Sequence, residues 1–163
     1  MTAEHKQSEF RRLIGRFATG VAVVLTGDGG QPEGLTVNSL TSLSLDPLLL
    51  LFCARNESRS AAAVVRNGRF SVNVLAATQQ DVSGHFAGRR MARPVPIEHH
   101  GGWIALADAN ASFLCHVERV HPGGDHAIIV GRVMHILGPE CADQPLLYYA
   151  GGYARLPAPA VSG

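Results

Sequence analysis

The sequence predicts a mainly β protein, an antiparallel barrel with short flanking helices. Three observations predict it. Short β-branched or alternating runs recur at close spacing from Val21 to Leu137. Turns rich in glycine, proline and aspartate separate them. The helical patterns between them are few and short, which argues against βαβ units.

The elements follow in order. Phe10, Leu13, Ile14 and Phe17 fall at i, i+3, i+4 and i+7, one face of a helix. Ser8 is its N-cap and Gly20 its stop. Val21 to Thr26 is a β-branched run, and Gly27-Asp28-Gly29-Gly30 is a strong turn. A strand from Gly34 then pairs back as a hairpin. Leu48 to Ala54 is continuously apolar, as expected of a strand buried on both faces. Ser58 to Asn67 holds three alanines and two valines before Gly68, a short helix with a serine cap and a glycine stop. Phe70, Val72 and Val74 alternate with Ser71 and Asn73, a half-buried strand. Thr78 to Ala87 reads as a short helix capped by Thr78. Residues 88–102 form an irregular loop rich in Arg, Pro and His. Ala111 to Val120 and His126 to Leu137 make a second long hairpin around Pro122-Gly123-Gly124-Asp125. Pro145 to Tyr149 reads as a helical turn, and Pro157 to Gly163 as a frayed tail.

Composition narrows the class. A chain of 163 residues suits one domain, 1–163. Its 46% hydrophobic content supports a real core, and 17% charged residues are too few for a disordered chain. A formal net charge of +1 leaves no broad nucleic-acid footprint. Cys53, Cys115 and Cys141 are odd in number, widely spaced and without a CxxC pair. That fits a reduced, cytoplasmic setting better than a disulfide scaffold. The polar start, Met1 to Lys6, predicts no signal peptide. The longest apolar run, Leu48 to Ala54, is far short of a membrane span.

Residues 34–47 read GLTVNSLTSLSLDP. The segment opens like a strand at Thr36-Val37 and stops at Asp46-Pro47, a turn signal. Five hydroxyl or amide side chains in seven residues, Asn38 to Ser44, are too many for a plain core strand. Each needs a partner if buried, or costs about 1–3 kcal/mol. A polar planar ligand along the strand would supply those partners. No G-x-G-x-x-G, Walker lysine motif or G-x-S-x-G elbow is present. Eight histidines invite a metal reading. However, His99-His100 would point to opposite faces of a strand. No carboxylate or cysteine completes a set with His116, His121 and His126 at a recognisable spacing. The expectation is therefore no metal.

Phe17-Ala18-Thr19-Gly20-Val21-Ala22-Val23-Val24 followed by Gly34-Leu35-Thr36-Val37-Asn38-Ser39 resembles the flavin reductase-like family, the small reductase partners of two-component flavin monooxygenases. Phe70-Ser71-Val72-Asn73-Val74-Leu75, Gly124-Asp125-His126 and Pro145-Leu146-Leu147-Tyr148-Tyr149 with Gly152-Tyr153 follow in the expected order. The resemblance spans roughly residues 9 to 155. It implies a split β-barrel of the FMN-binding type, homodimeric, that uses NADH or NADPH to reduce FMN or FAD. The reduced flavin would go to a partner flavin-dependent monooxygenase. It implies no nucleic-acid or membrane partner.

On that resemblance Thr36, Val37, Asn38 and Ser39 lie against the flavin ring, with Ser42 beyond them. Cys53, Ala54, Arg55 and Asn56 lead from a strand to the serine-capped helix. A helix N-terminus there suits a phosphate, with Ser58 and Ser60 adding hydroxyls. His85 and Phe86 match a segment that closes over the flavin, and Arg89, Arg90 and Arg93 follow. His126 sits near the nicotinamide and orients it. Tyr148 and Tyr153 cover the cofactor or form the dimer contact. Residues 90–103 depart from the usual aromatic spacing, which leaves FMN against FAD open. So does NADH against NADPH. A rival reading is a non-catalytic flavin- or haem-binding split-barrel carrier or sensor. A third is a related oxidase acting on a small amine.

Overall fold

The computed structural model describes residues 2–27 and 31–157. The turn expected at 28–30 and the tail from 158 lie outside the described residues. Helix α1 (Ala3–Ile14) opens the chain, followed by strands β1 (Thr19–Gly20), β2 (Ala22–Thr26), β3 (Glu33–Val37), β4 (Thr41–Leu45) and β5 (Leu48–Arg55). Helix α2 (Arg59–Asn67) and strand β6 (Arg69–Val74) come next. A 3-10 turn at Ala77–Gln79 runs into helix α3 (Gln80–Phe86). Strands β7 (Ile97–His100), β8 (Trp103–Leu106), β9 (Ala111–Gly123), β10 (His126–Leu137), β11 (Leu147–Tyr149) and β12 (Gly152–Ala154) complete the chain.

Seven strands form one antiparallel sheet in the order β3-β2-β6-β9-β10-β5-β4. The sheet curls around a single apolar cluster. Val24, Val37, Phe52, Phe70, Cys115 and Ile129 meet in it, although they come from six different strands. On the other face of β2, Val23 and Leu25 join Leu75, Val82, Ile104 and Leu146 in a second cluster. Here α3 and the β7–β8 hairpin cover the sheet. Two covered faces explain why all of β2 is buried: alternate residues point to alternate cores.

The β3–β2 hairpin, the capped helix α2 and the β9–β10 hairpin match the sequence reading. Ser58 Oγ accepts a hydrogen bond from the Ala61 amide, and Gly68 closes the helix in the left-handed region at φ 68°. Other expectations need correction. Helix α1 begins after Thr2, whose hydroxyl accepts from the His5 amide, and ends at Gly15, not Ser8 to Gly20. Its apolar face is open: Phe10, Leu13, Ile14 and Phe17 are 45–73% exposed. Strand β5 is buried on one face only, through Leu50, Phe52 and Ala54, because a single sheet layer lies there. Strand β6 is buried on both faces instead of one. Its Asn73 accounts for the difference. The Asn73 amide donates to the Val23 carbonyl and Ser71 Oγ, and Oδ1 accepts from the Leu106 amide and Ser112 Oγ. All four hydrogen bonds are made, so the polar residue is buried without an orphaned group.

Thr78 does not cap α3; the Gln79 side chain does similar work by accepting from the Ala76 amide. The expected loop at 88–102 contains strand β7, which pairs with β8. Pro145 to Tyr149 is not helical. Strand β11 pairs with both β1 and β12. Ala150 and Gly151, at φ 49° and 84°, make the two-residue turn that a tight hairpin needs.

Candidate functional site

The chain leaving β3 passes beside the end of β5. Ser39 fixes that approach. Its Oγ accepts from the Cys53 amide at 2.9 Å and donates to the Cys53 carbonyl at 3.1 Å. One hydroxyl thus stands in for a rung of ladder between segments with no backbone pairing. Strand β10 pairs with β5 so that His126 lies opposite Arg55. The result is a groove of about 340 Å³ lined by Leu35, Thr36, Val37, Asn38, Ser39, Cys53, Ala54, Arg55, Ser58 and His126.

The groove has distinct ends. Val37 and Ala54 are buried and apolar, a floor for a flat ring. Asn38 is exposed, and its side chain makes no hydrogen bond among the described residues. At the other end stands the start of α2. Ser58 Oγ takes the Ala61 amide and the Ser58 carbonyl takes that of Ala62. Helix geometry leaves the first-turn amides of Arg59 and Ser60 without carbonyl partners inside the helix, which favours an anion. Arg55 adds a positive charge beside them. His126, opposite Arg55, closes the rim there. Its Nδ1 is 2.8 Å from the Asp125 carboxylate. A carboxylate can only accept, so Nδ1 carries the proton and Nε2 faces outward from that bond. The hydrogen bond from His126, then its charge, holds Asp125 below the usual aspartate range.

Two further hollows meet the same segment. One, of about 440 Å³, lies against Thr36, Val37 and Asn38 from the α3 side. Ser83, Gly84, Ala87 and Arg89 line it, with Tyr148 and Tyr153. The Tyr148 and Tyr153 rings meet edge to face at 5.9 Å, and the Tyr153 hydroxyl is 2.7 Å from Ser83 Oγ. The other, about 830 Å³, runs along α1 and includes Thr19, Asn38, Ser39 and Tyr148. Thr19 Oγ1 is the buried side-chain polar atom without a partner among the described residues. Asn38 borders all three hollows.

The structure therefore gathers Thr36, Val37, Asn38, Ser39, Cys53, Ala54, Arg55, Ser58 and His126, and sets Tyr148 and Tyr153 in the adjoining hollow. It does not bring in the rest. Ser42 is exposed on β4 and does not line the groove. Ser60 lies in the first turn of α2 but does not line the groove. The Asn56 side chain is committed to the Gly124 carbonyl at 3.0 Å. Phe86 packs over Gly34, where an added Cβ would come within 2.7 Å of its ring. His85 Nδ1 accepts from the Met91 amide, so it fastens the loop after α3. The Thr36 hydroxyl also has an internal task, donating to the Ser83 carbonyl at 2.7 Å. Sequence reasoning missed Ser83 and Gly84. The available signal was their small size on one side of a short helix, which leaves room beside β3.

The apolar floor and the capped helix N-terminus give the groove a shape and donors that suit a flat, phosphate-bearing ligand. Comparison with known proteins makes the class specific. The chain belongs to the flavin reductase like domain family, whose match runs over residues 14–157. It is 40% identical over 163 residues to the NADH-dependent FMN reductase AsuE2 of Streptomyces nodosus subsp. asukaensis, covering 96% of this chain and 88% of that one. It is 41% identical over 150 residues to the reductase subunit HsaB of a flavin-dependent monooxygenase of Rhodococcus jostii, covering 90% and 76%. The solved structure of the NADH:FAD oxidoreductase SgcE6 of Streptomyces globisporus C-1027, in complex with NAD and FAD fragments, matches with a TM-score of 0.88 at 31% identity over 99% of each chain.

Proposed function

We propose that this protein is an NAD(P)H:flavin oxidoreductase that reduces FMN or FAD and supplies the reduced flavin to a partner flavin-dependent monooxygenase. The observation that carries this reading is the groove between β3, β5 and the start of α2, in a chain of this family. The residues present fit a flavin. Val37 and Ala54 suit the ring, and Asn38 offers an uncommitted amide to its polar edge. Ser58, Arg55 and the free amides of the first turn of α2 suit the phosphate. Together, bound flavin and nicotinamide supply a hydride transfer that asks for no protein acid or base.

The protein's own part is alignment and charge. The uncommitted Asn38 amide would meet the negative charge that a bound ring gains on reduction. Ser39, bonded to Cys53, keeps that segment from shifting. His126, with Nδ1 tied to Asp125, positions the nicotinamide through Nε2. Tyr148 and Tyr153, in the adjoining hollow, would cover a bound ring from the α3 side. The chain acts as one domain over about 9–155, as a homodimer formed through the open apolar face of α1, and in the cytoplasm. Among the described residues no helix is long and apolar enough to cross a membrane.

Initial rates with FMN and FAD, each crossed with NADH and NADPH, test the reading. Steady nicotinamide oxidation is expected in at least one combination. A retained chromophore with negligible turnover in all four would instead mark a carrier and overturn the proposal.

A further inference from the structure

The turn that carries His126 is not free-standing. Strands β9 and β10 are joined through Gly124 and Asp125, with Gly124 at φ 76° in the first central position. That position wants glycine in a tight hairpin turn. Asp125 is 90% exposed, and His126 39%, so packing alone does not hold the turn. The β9–β10 and β5–β10 ladders frame it, and two hydrogen bonds from one residue tie its tip to the end of β5. The Asn56 amide N–H donates to the Asp125 carbonyl at 3.1 Å. Asn56 Nδ2 donates to the Gly124 carbonyl at 3.0 Å. Asn56 lies between Arg55, at the end of β5, and Ser58, the cap of α2. The anion end of the groove and the histidine rim are therefore tied at one point.

We infer that Asn56 is a positioning residue: its carboxamide latches the Gly124-Asp125 turn so that the Asp125–His126 pair presents Nε2 to the nicotinamide. It is not a ligand for the flavin phosphate, because its Nδ2 is turned to the Gly124 carbonyl and the residue does not line the groove. This inference rests on the reading of His126 given above. The backbone bond would survive a side-chain change, so the turn keeps its fold while losing one of two restraints.

The test is a double-mutant cycle with Asn56→Ala, His126→Ala and the pair. Each is measured for the nicotinamide KM, for flavin affinity by spectral titration, and for thermal stability. Loss of one neutral hydrogen bond predicts a rise of about fivefold in nicotinamide KM for Asn56→Ala, with flavin affinity unchanged. In the His126→Ala background the same change should have no further effect, since the latch then holds nothing. A full additional rise in the double variant would overturn the inference. So would a loss of flavin affinity in Asn56→Ala, or an unchanged nicotinamide KM beside an active His126→Ala effect. If His126→Ala itself leaves the nicotinamide KM unmoved, the role given to His126 falls, and the latch with it.

Discussion

Cys115 is fully buried in the core, and burial pushes its thiol up to about 12, so it stays protonated far above neutral pH. Cys53 lines the groove half-buried, and Cys141 is exposed. An alkylating reagent at neutral pH is therefore expected to modify Cys53 and Cys141 in the native protein and to spare Cys115. Saturating FMN or FAD should slow Cys53 and leave Cys141 unchanged. Peptide mass spectrometry reads all three positions, and an unprotected Cys53 would remove the flavin from this groove. At this scale the sequence was only half informative. Thr36, Asn38 and Ser39 stand out in it as polar residues needing partners. It could not say that Thr36 finds the Ser83 carbonyl and Ser39 the Cys53 backbone, which leaves Asn38 as the uncommitted amide.

Several local elements were legible because their cause was local, although the Thr2 cap of α1 was not. Ser58 and Gly68 bound α2 because a hydroxyl cap and a left-handed stop act within one turn. The β2–β3 and β9–β10 hairpins were legible for the same reason. Strands β7 and β11 were not, since each is short and exists through its partners: β8 in one case, β1 and β12 in the other. Ser39 shows how one side chain can serve an element. Ser39→Ala would leave the Cys53 amide and carbonyl without this partner at the edge of β5. A loss of about 1–3 kcal/mol is expected in urea unfolding. Flavin affinity should fall as well, since the Asn38 segment loses its anchor. Wild-type flavin affinity in this variant would sink the anchoring role.

For the whole molecule, the curled sheet turns one face of its strands inward and leaves α1 outside with its apolar side bare. An amphipathic helix presenting Phe10, Leu13 and Ile14 to water is a surface awaiting cover. The protein is expected to sediment as a dimer, and Phe10→Arg with Leu13→Arg to sediment as a folded monomer. A wild-type monomer at micromolar concentration would end the dimer proposal. The sequence by itself determined the antiparallel β class, the two ends of α2, the turn between β9 and β10, and the family motifs along the chain. Those rest on periodicity and on contacts a few residues apart. Only the tertiary structure decided which polar side chains remain open to a ligand. The competing partners lie 14 residues away for Ser39 and 47 for Thr36, and no local pattern encodes such a meeting. It also decided that Phe86 packs over Gly34 while Ser83, Gly84 and Arg89 face the hollow beside the groove, because helix rotation is set by the sheet it covers.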